Sequence, residues 1–85
     1  MQQIFDLAKL RWQCRRGMLE LDVILLPFFE DYFGDLADQQ KQCFVDLLEE
    51  ADPDIYTWVM GFGHCENESL HEILDLIQIK MKIAR

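Results

Sequence analysis

The chain has 85 residues, of which 51% are hydrophobic, and a net charge of -8. So short a chain has room for one hydrophobic core, and so many apolar side chains exclude a disordered protein. We therefore expect a single helical domain over residues 1–85. The acidic balance argues against nucleic-acid binding, because affinity for phosphate backbones comes from accumulated Lys and Arg.

The sequence also indicates where the protein is located. No signal peptide is visible, since Asp6 and Lys9 interrupt the first apolar stretch. The longest apolar run, Val23–Phe29, is far shorter than the roughly 20 residues that a membrane-spanning helix needs. We expect a bacterial cytoplasmic protein with no direct membrane insertion.

Cysteine and histidine offer little chemistry. Cys14, Cys43 and Cys65 are odd in number and irregularly spaced, which favours reduced thiols over disulfides. His64 and His71 add no ligand-like spacing to them. No GxGxxG fingerprint or paired acid and base is present. We expect no metal, no cofactor belonging to this chain and no enzymatic activity.

Apolar residues recur at intervals of three and four, which predicts helices rather than strands. A first helix over about 3–15 is expected to end at the basic pair before Gly17. A second helix, from about Met18 to Gly34, presents one broad apolar face. Pro27 lies inside it and removes a main-chain hydrogen bond, so we expect a kink or a local break there.

Two further helices are predicted from capping residues as well as from apolar spacing. Asp38 is expected to cap a third helix over about 39–51. Asp52 is expected to cap a fourth helix, with Pro53 at its first helical position and Gly61 near its end.

A fifth helix is predicted from a capping box. Ser69 and Glu72 have the required spacing, and the apolar pattern continues to Met81. Five short helices joined by short turns predict an all-α fold, a compact five-helix bundle.

The hexapeptide from Arg15 to Glu20 is a charged hinge between the first two helices. Helix caps explain its residue types, since Gly17 can end one helix and Glu20 can bond back to a free amide of the next. Alternatively, the glycine allows another molecule to approach closely, while Arg16 offers a planar fork to a carboxylate or phosphate. Spacing alone leaves both interpretations open.

The hinge is also part of a longer pattern. Its segments are Trp12-Gln13-Cys14-Arg15-Arg16-Gly17-Met18-Leu19-Glu20-Leu21-Asp22, Pro27-Phe28-Phe29, Phe44 with Leu47-Leu48, and Asp52-Pro53-Asp54 before Trp58. This pattern resembles the succinate dehydrogenase assembly factors, whose bacterial members are called SdhE, over about residues 8–80. The Arg-Gly-x-x-Glu motif lies at the same helix junction.

The resemblance implies a five-helix bundle that promotes covalent attachment of FAD to a histidine of the flavoprotein subunit of succinate dehydrogenase, and in bacteria also of fumarate reductase. The FAD belongs to the partner flavoprotein. The implied contact residues are Arg16, Gly17 and Glu20, with Asp22, Arg11 and Arg15 as nearby supports. Trp12, beside two of these arginines, is expected to be partly exposed and to serve as an anchor for the partner.

Two other functions compete with this interpretation. One is a small protein-interaction module, such as an antitoxin acting on cell-division or cytoskeletal proteins. The other is an acyl carrier protein, which shares the length and acidity, but Ser69 lies too near the C-terminus to carry its prosthetic arm. We expect the free chain to be a monomer.

Overall fold

A computed structural model describes residues 5–83. Within this range it contains no β-strand and five α-helices: α1 Leu7–Gln13, α2 Leu19–Tyr32, α3 Asp38–Leu47, α4 Asp52–Val59 and α5 His71–Lys80. The predicted all-α, five-helix fold is confirmed. Positions 3 and 4 of the predicted first helix lie outside the described residues. No helix within 5–83 has the length and hydrophobicity that crossing a membrane requires.

The core is built around α2, which supplies four buried side chains. Phe28 stacks on Phe44 of α3 with 5.6 Å between the ring centroids, and Phe33 lies at the same distance from Phe44. Ile55 of α4 and Ile73 of α5 are fully buried in the same cluster. Burying this apolar surface is the main stabilising contribution to such a fold.

Pro27 does not interrupt α2, which runs unbroken from Leu19 to Tyr32 and continues into a 3-10 turn over Phe33–Asp35. The predicted local break is therefore wrong, and a kink stays a prediction. Proline costs the helix one hydrogen bond, but the buried aromatic side chains that follow it hold the chain in the helical path.

The caps of α3 and α4 differ from the prediction by one residue. Ala37 is the N-cap of α3, its amide donating to Gln40 Oε1 at 2.9 Å, so Asp38 lies inside the helix. Ala51 is the N-cap of α4, which makes Asp52 its first residue. Acidic residues suit either position, because both lie near the positive end of the helix dipole.

A 3-10 turn over Glu68–Leu70 precedes α5, and a residue other than the predicted one caps that turn. Asn67 Oδ1 accepts hydrogen bonds from the Ser69 amide at 3.1 Å and the Ser69 hydroxyl at 2.6 Å, ahead of a 3-10 turn that leads into α5. Glu72 instead accepts a 2.9 Å hydrogen bond from Gln40 Nε2. The predicted Ser69–Glu72 capping box is wrong, and its glutamate links α5 to α3.

Gln78 is the buried polar side chain of α5, at 7% exposure. Its amide nitrogen donates to the carbonyls of Trp58 and Val59, at 3.2 and 3.1 Å. These carbonyls lie in the last turn of α4, where helical carbonyls lack the usual amide partners, although that of Trp58 also accepts from the Gly61 amide at 3.1 Å. One side chain thus joins α5 to the end of α4.

Candidate functional site

The junction between α1 and α2 turns at Gly17, whose φ is 81°. That left-handed conformation costs an L-residue about 1–2 kcal/mol, which explains the glycine. A Cβ built at Gly17 would meet no heavy atom of the described residues within 4 Å. The backbone conformation therefore requires glycine here, while the space above it is open.

Arg16 points into the protein, with 15% of its side chain exposed. Nε donates to Asp52 Oδ1 at 2.7 Å, and the terminal nitrogens donate to three carbonyls, those of Gln13 at 3.0 Å, Leu48 at 2.9 Å and Glu50 at 3.0 Å. We call this set of contacts the Arg16 staple. It joins the end of α1, the end of α3 and the start of α4.

The staple gives the arginine a structural role that the sequence left open. The planar fork does bind a carboxylate, but that carboxylate belongs to Asp52 of the same chain. Asp22, expected as a support, accepts the backbone amide of Arg16 at 2.7 Å and so ties the junction to α2. Contact between Arg16 and a partner stays a prediction.

The other predicted site residues lie on the surface. Trp12 is 74% exposed, which confirms the prediction that it is partly exposed. Arg15 and Glu20 are exposed on either side of Gly17. Arg11 is exposed too and pairs with Glu30 across α1 and α2 at 3.2 Å. Their contact with a partner stays a prediction.

Two exposed apolar residues of α2 escaped the sequence analysis. Leu19 is 72% exposed and Val23 is 56% exposed. Four residues apart, they lie on one side of the helix, next to Glu20. We call Gly17, Leu19, Glu20 and Val23 the junction face. The available signal was that neither Leu19 nor Val23 belongs to the series of apolar positions that α2 buries.

The thiol of Cys14, close to this junction in the sequence, has low reactivity. Cys14 is fully buried, and burial raises its pKa from 9.0 to about 12, more than the nearby Arg16 lowers it. A thiol with so high a pKa is a poor nucleophile at neutral pH. The junction therefore offers contact surface rather than a reactive group.

The histidines lie at a separate place, between α4 and α5. The rings of His64 and His71 are 5.2 Å apart, and His71 Nε2 is hydrogen bonded to the Cys65 carbonyl at 2.6 Å. In the described part of the chain, no group of three or more His, Cys, Asp or Glu residues could hold a metal ion.

Comparison with known proteins shows which family this chain resembles. The family model described as Flavinator of succinate dehydrogenase matches residues 8–81. A protein of Vibrio cholerae named FAD assembly factor SdhE is 53% identical over 82% of this chain and 81% of its own length. The Yersinia pestis protein of the same name is 42% identical over 94% of this chain and 91% of its own length.

A solved structure agrees with these relatives. The solution structure of a UPF0350 protein is similar to this chain with a TM-score of 0.68 and 44% identity, covering 92% of this chain and 89% of the other. The match to the family model and the identities to the relatives together show that the chain belongs to the flavinators of succinate dehydrogenase.

Proposed function

We propose that this chain is an FAD assembly factor that binds the flavoprotein subunit of succinate dehydrogenase and promotes covalent attachment of FAD to a histidine of that subunit. The family and the names of the relatives support this function. We propose that the chain also serves the flavoprotein subunit of fumarate reductase. We further propose that it is a monomer when free and that it works in the bacterial cytoplasm.

We propose that the chain acts as a chaperone rather than as an enzyme. Attaching a flavin to an imidazole requires the flavin methyl group and the histidine to be held in register, which is a problem of positioning. A protein that prefers the attachment-competent arrangement of the flavoprotein raises the population of that arrangement. The flavoprotein, which holds the FAD, then carries out the chemistry on itself.

The observation that supports the site most strongly is the open surface at Gly17. An exposed turn without a side chain lets a partner backbone approach closely. Exposed Leu19 and Val23 supply apolar contact area beside it, and Glu20 supplies a charge. Interfaces commonly place most of their binding energy in a few clustered residues.

Co-expression with the flavoprotein subunit tests this proposal. Covalent flavin is scored by in-gel fluorescence of the denatured subunit, with and without this chain. We expect fluorescence to depend on the wild-type chain and to fall with Glu20→Ala. The matched control is Glu66→Ala, which removes an exposed glutamate from the loop between α4 and α5. Labelling that is unchanged without the chain would contradict the function.

The antitoxin alternative would require a cytoskeletal or cell-division partner. Nothing in the comparisons supports it, whereas the named relatives support flavin assembly. Pull-down of the flavoprotein subunit by the wild-type chain, lost with Glu20→Ala, distinguishes the two functions.

A further inference from the structure

The carboxylate of Asp52 is the charged acceptor in the Arg16 staple. It lies on the first residue of α4, 36 positions beyond Arg16, and its 2.7 Å contact is the shortest of the four side-chain hydrogen bonds of that arginine. Charge-assisted hydrogen bonds of this length are roughly twice as strong as neutral ones. Asp52 thus links α4 to the residue that immediately precedes Gly17.

The junction depends on such an external contact. Met18, the N-cap of α2, makes no capping hydrogen bond with its side chain. Gly17 adopts a positive φ, and glycine resists rotation less than any other residue. The staple holds the Arg16 side chain, and the Asp22 carboxylate of α2 reaches across Gly17 to accept a hydrogen bond from the Arg16 amide. Together they set the direction in which the chain enters α2.

We infer that Asp52 is a positioning residue for flavoprotein binding: through Arg16 it holds Gly17 and the start of α2 in the arrangement that the partner recognises. This inference rests on the proposed function. Asp52 itself need not touch the flavoprotein. Its effect arises because a junction that samples fewer conformations loses less entropy when a partner binds it.

A simpler role for Asp52 is favourable charge at the N-terminus of α4. Asp54, in the same first turn, shares that role without taking part in the staple. Asp54→Ala is therefore the matched control for Asp52→Ala, since both remove one negative charge from the same helix end.

Binding of the purified flavoprotein subunit by the folded variants is the first measurement, with folding checked by circular dichroism. Asp52→Ala is expected to weaken binding about tenfold, the loss associated with one charge-assisted hydrogen bond. Asp54→Ala and the conservative Asp52→Asn, whose side-chain oxygen can still accept from Arg16, should remain within about threefold of wild type. If Asp52→Ala does not fold, Asp52→Ser provides the same test, because its hydroxyl is too short to reach Nε.

The second measurement is the NMR signal of the Arg16 Nε–H group. We expect a slowly exchanging signal in wild type and Asp54→Ala, and a rapidly exchanging one in Asp52→Ala, together with faster exchange of the Gly17 amide. A structural role confined to α4 would leave both signals unchanged.

The outcomes separate the two claims. A wild-type chain that does not bind the flavoprotein overturns the proposed function and this inference with it. Wild-type binding that Asp52→Ala and Asp52→Ser leave intact, or that Asp54→Ala weakens equally, overturns the inference alone. Binding lost with Ala or Ser at position 52 and retained with Asn supports it.

Discussion

The backbone amide of Arg16 donates a 2.7 Å hydrogen bond to Oδ1 of Asp22, so the first turn of α2 reaches back across the junction to the residue before Gly17. The resemblance to the family suggested Asp22 as a support for the site. The structure shows one physical basis for support, which is the direction of the backbone rather than contact with a partner.

Replacing Asp22 by Ala is expected to lower the free energy of unfolding by about 1–2 kcal/mol, because a partly buried amide loses a charged acceptor. Asp22→Asn keeps an acceptor and should lose about half as much. Urea denaturation measures both. Equal losses in the two variants would mean that the negative charge matters and the hydrogen bond does not.

Arg16→Ala is expected to destabilise the protein by about 2–4 kcal/mol, since it leaves the carbonyls of Leu48 and Glu50 and the carboxylate of Asp52 without their donor. Arg15→Ala is the matched control. Arg15 is exposed, so the free energy of unfolding should change by less than about 0.5 kcal/mol. Similar values for the two variants in urea denaturation would argue against the staple.

Gly17→Ala is expected to cost about 1 kcal/mol of stability, because alanine must adopt a φ of 81° in otherwise open space. Gly34→Ala is the control, since a Cβ there also meets no heavy atom of the described residues within 4 Å and its φ is not positive. Thermal unfolding measures both.

Gly17→Arg carries the same backbone strain and adds a bulky side chain to the open surface. We expect it to stay folded, as shown by circular dichroism, and to lose binding to the flavoprotein subunit. A folded Gly17→Arg variant that binds normally would place the partner away from the junction.

Leu19→Ser and Val23→Ser are each expected to weaken flavoprotein binding about tenfold while changing stability by less than about 0.5 kcal/mol, because both side chains are exposed. Ile79→Ser is the control, since Ile79 is a comparably exposed aliphatic residue on α5, at 70%. Titration calorimetry provides the affinities. Equal weakening by all three variants would mean that general hydrophobicity, and not the junction face, controls binding.

Cys14 should make stability depend on alkaline pH. Burial raises the thiol pKa from 9.0 to about 12, so between these values the unfolded chain ionises while the folded chain stays protonated. Stability from this group is therefore complete below pH 9 and is lost as pH rises towards 12, by at most about 1.4 kcal/mol per unit. Denaturation of wild type and Cys14→Ala measures the difference. Parallel pH profiles would contradict the prediction.

The helices could be predicted because their apolar residues recur at three and four, a pattern that depends on local sequence alone. Their caps could not be placed to the residue, since Asp38 and Asp52 suit an N-cap and a first helical position almost equally. Contacts between residues that are distant in the sequence could not be predicted. Arg16 finds its carboxylate 36 residues away, a pairing that no local pattern indicates.

The exposure of individual side chains within an amphipathic helix could not be predicted from the sequence either. Leu19 and the fully buried Leu21 are the same residue type two positions apart, and the difference between them arises from which side of α2 packs against the rest of the fold. The motif at the junction could be recognised, but the inward direction of Arg16 required coordinates.

Gln78 determines how α5 is aligned along α4. Its amide donates to the carbonyls of Trp58 and Val59, so sliding α5 by one turn would break both of these hydrogen bonds between the two helices. A leucine at this position would hold α5 against α4 in several neighbouring registers with similar energy. The two hydrogen bonds of the glutamine form in one alignment of α5 against α4, and they therefore select a single packing for the sequence.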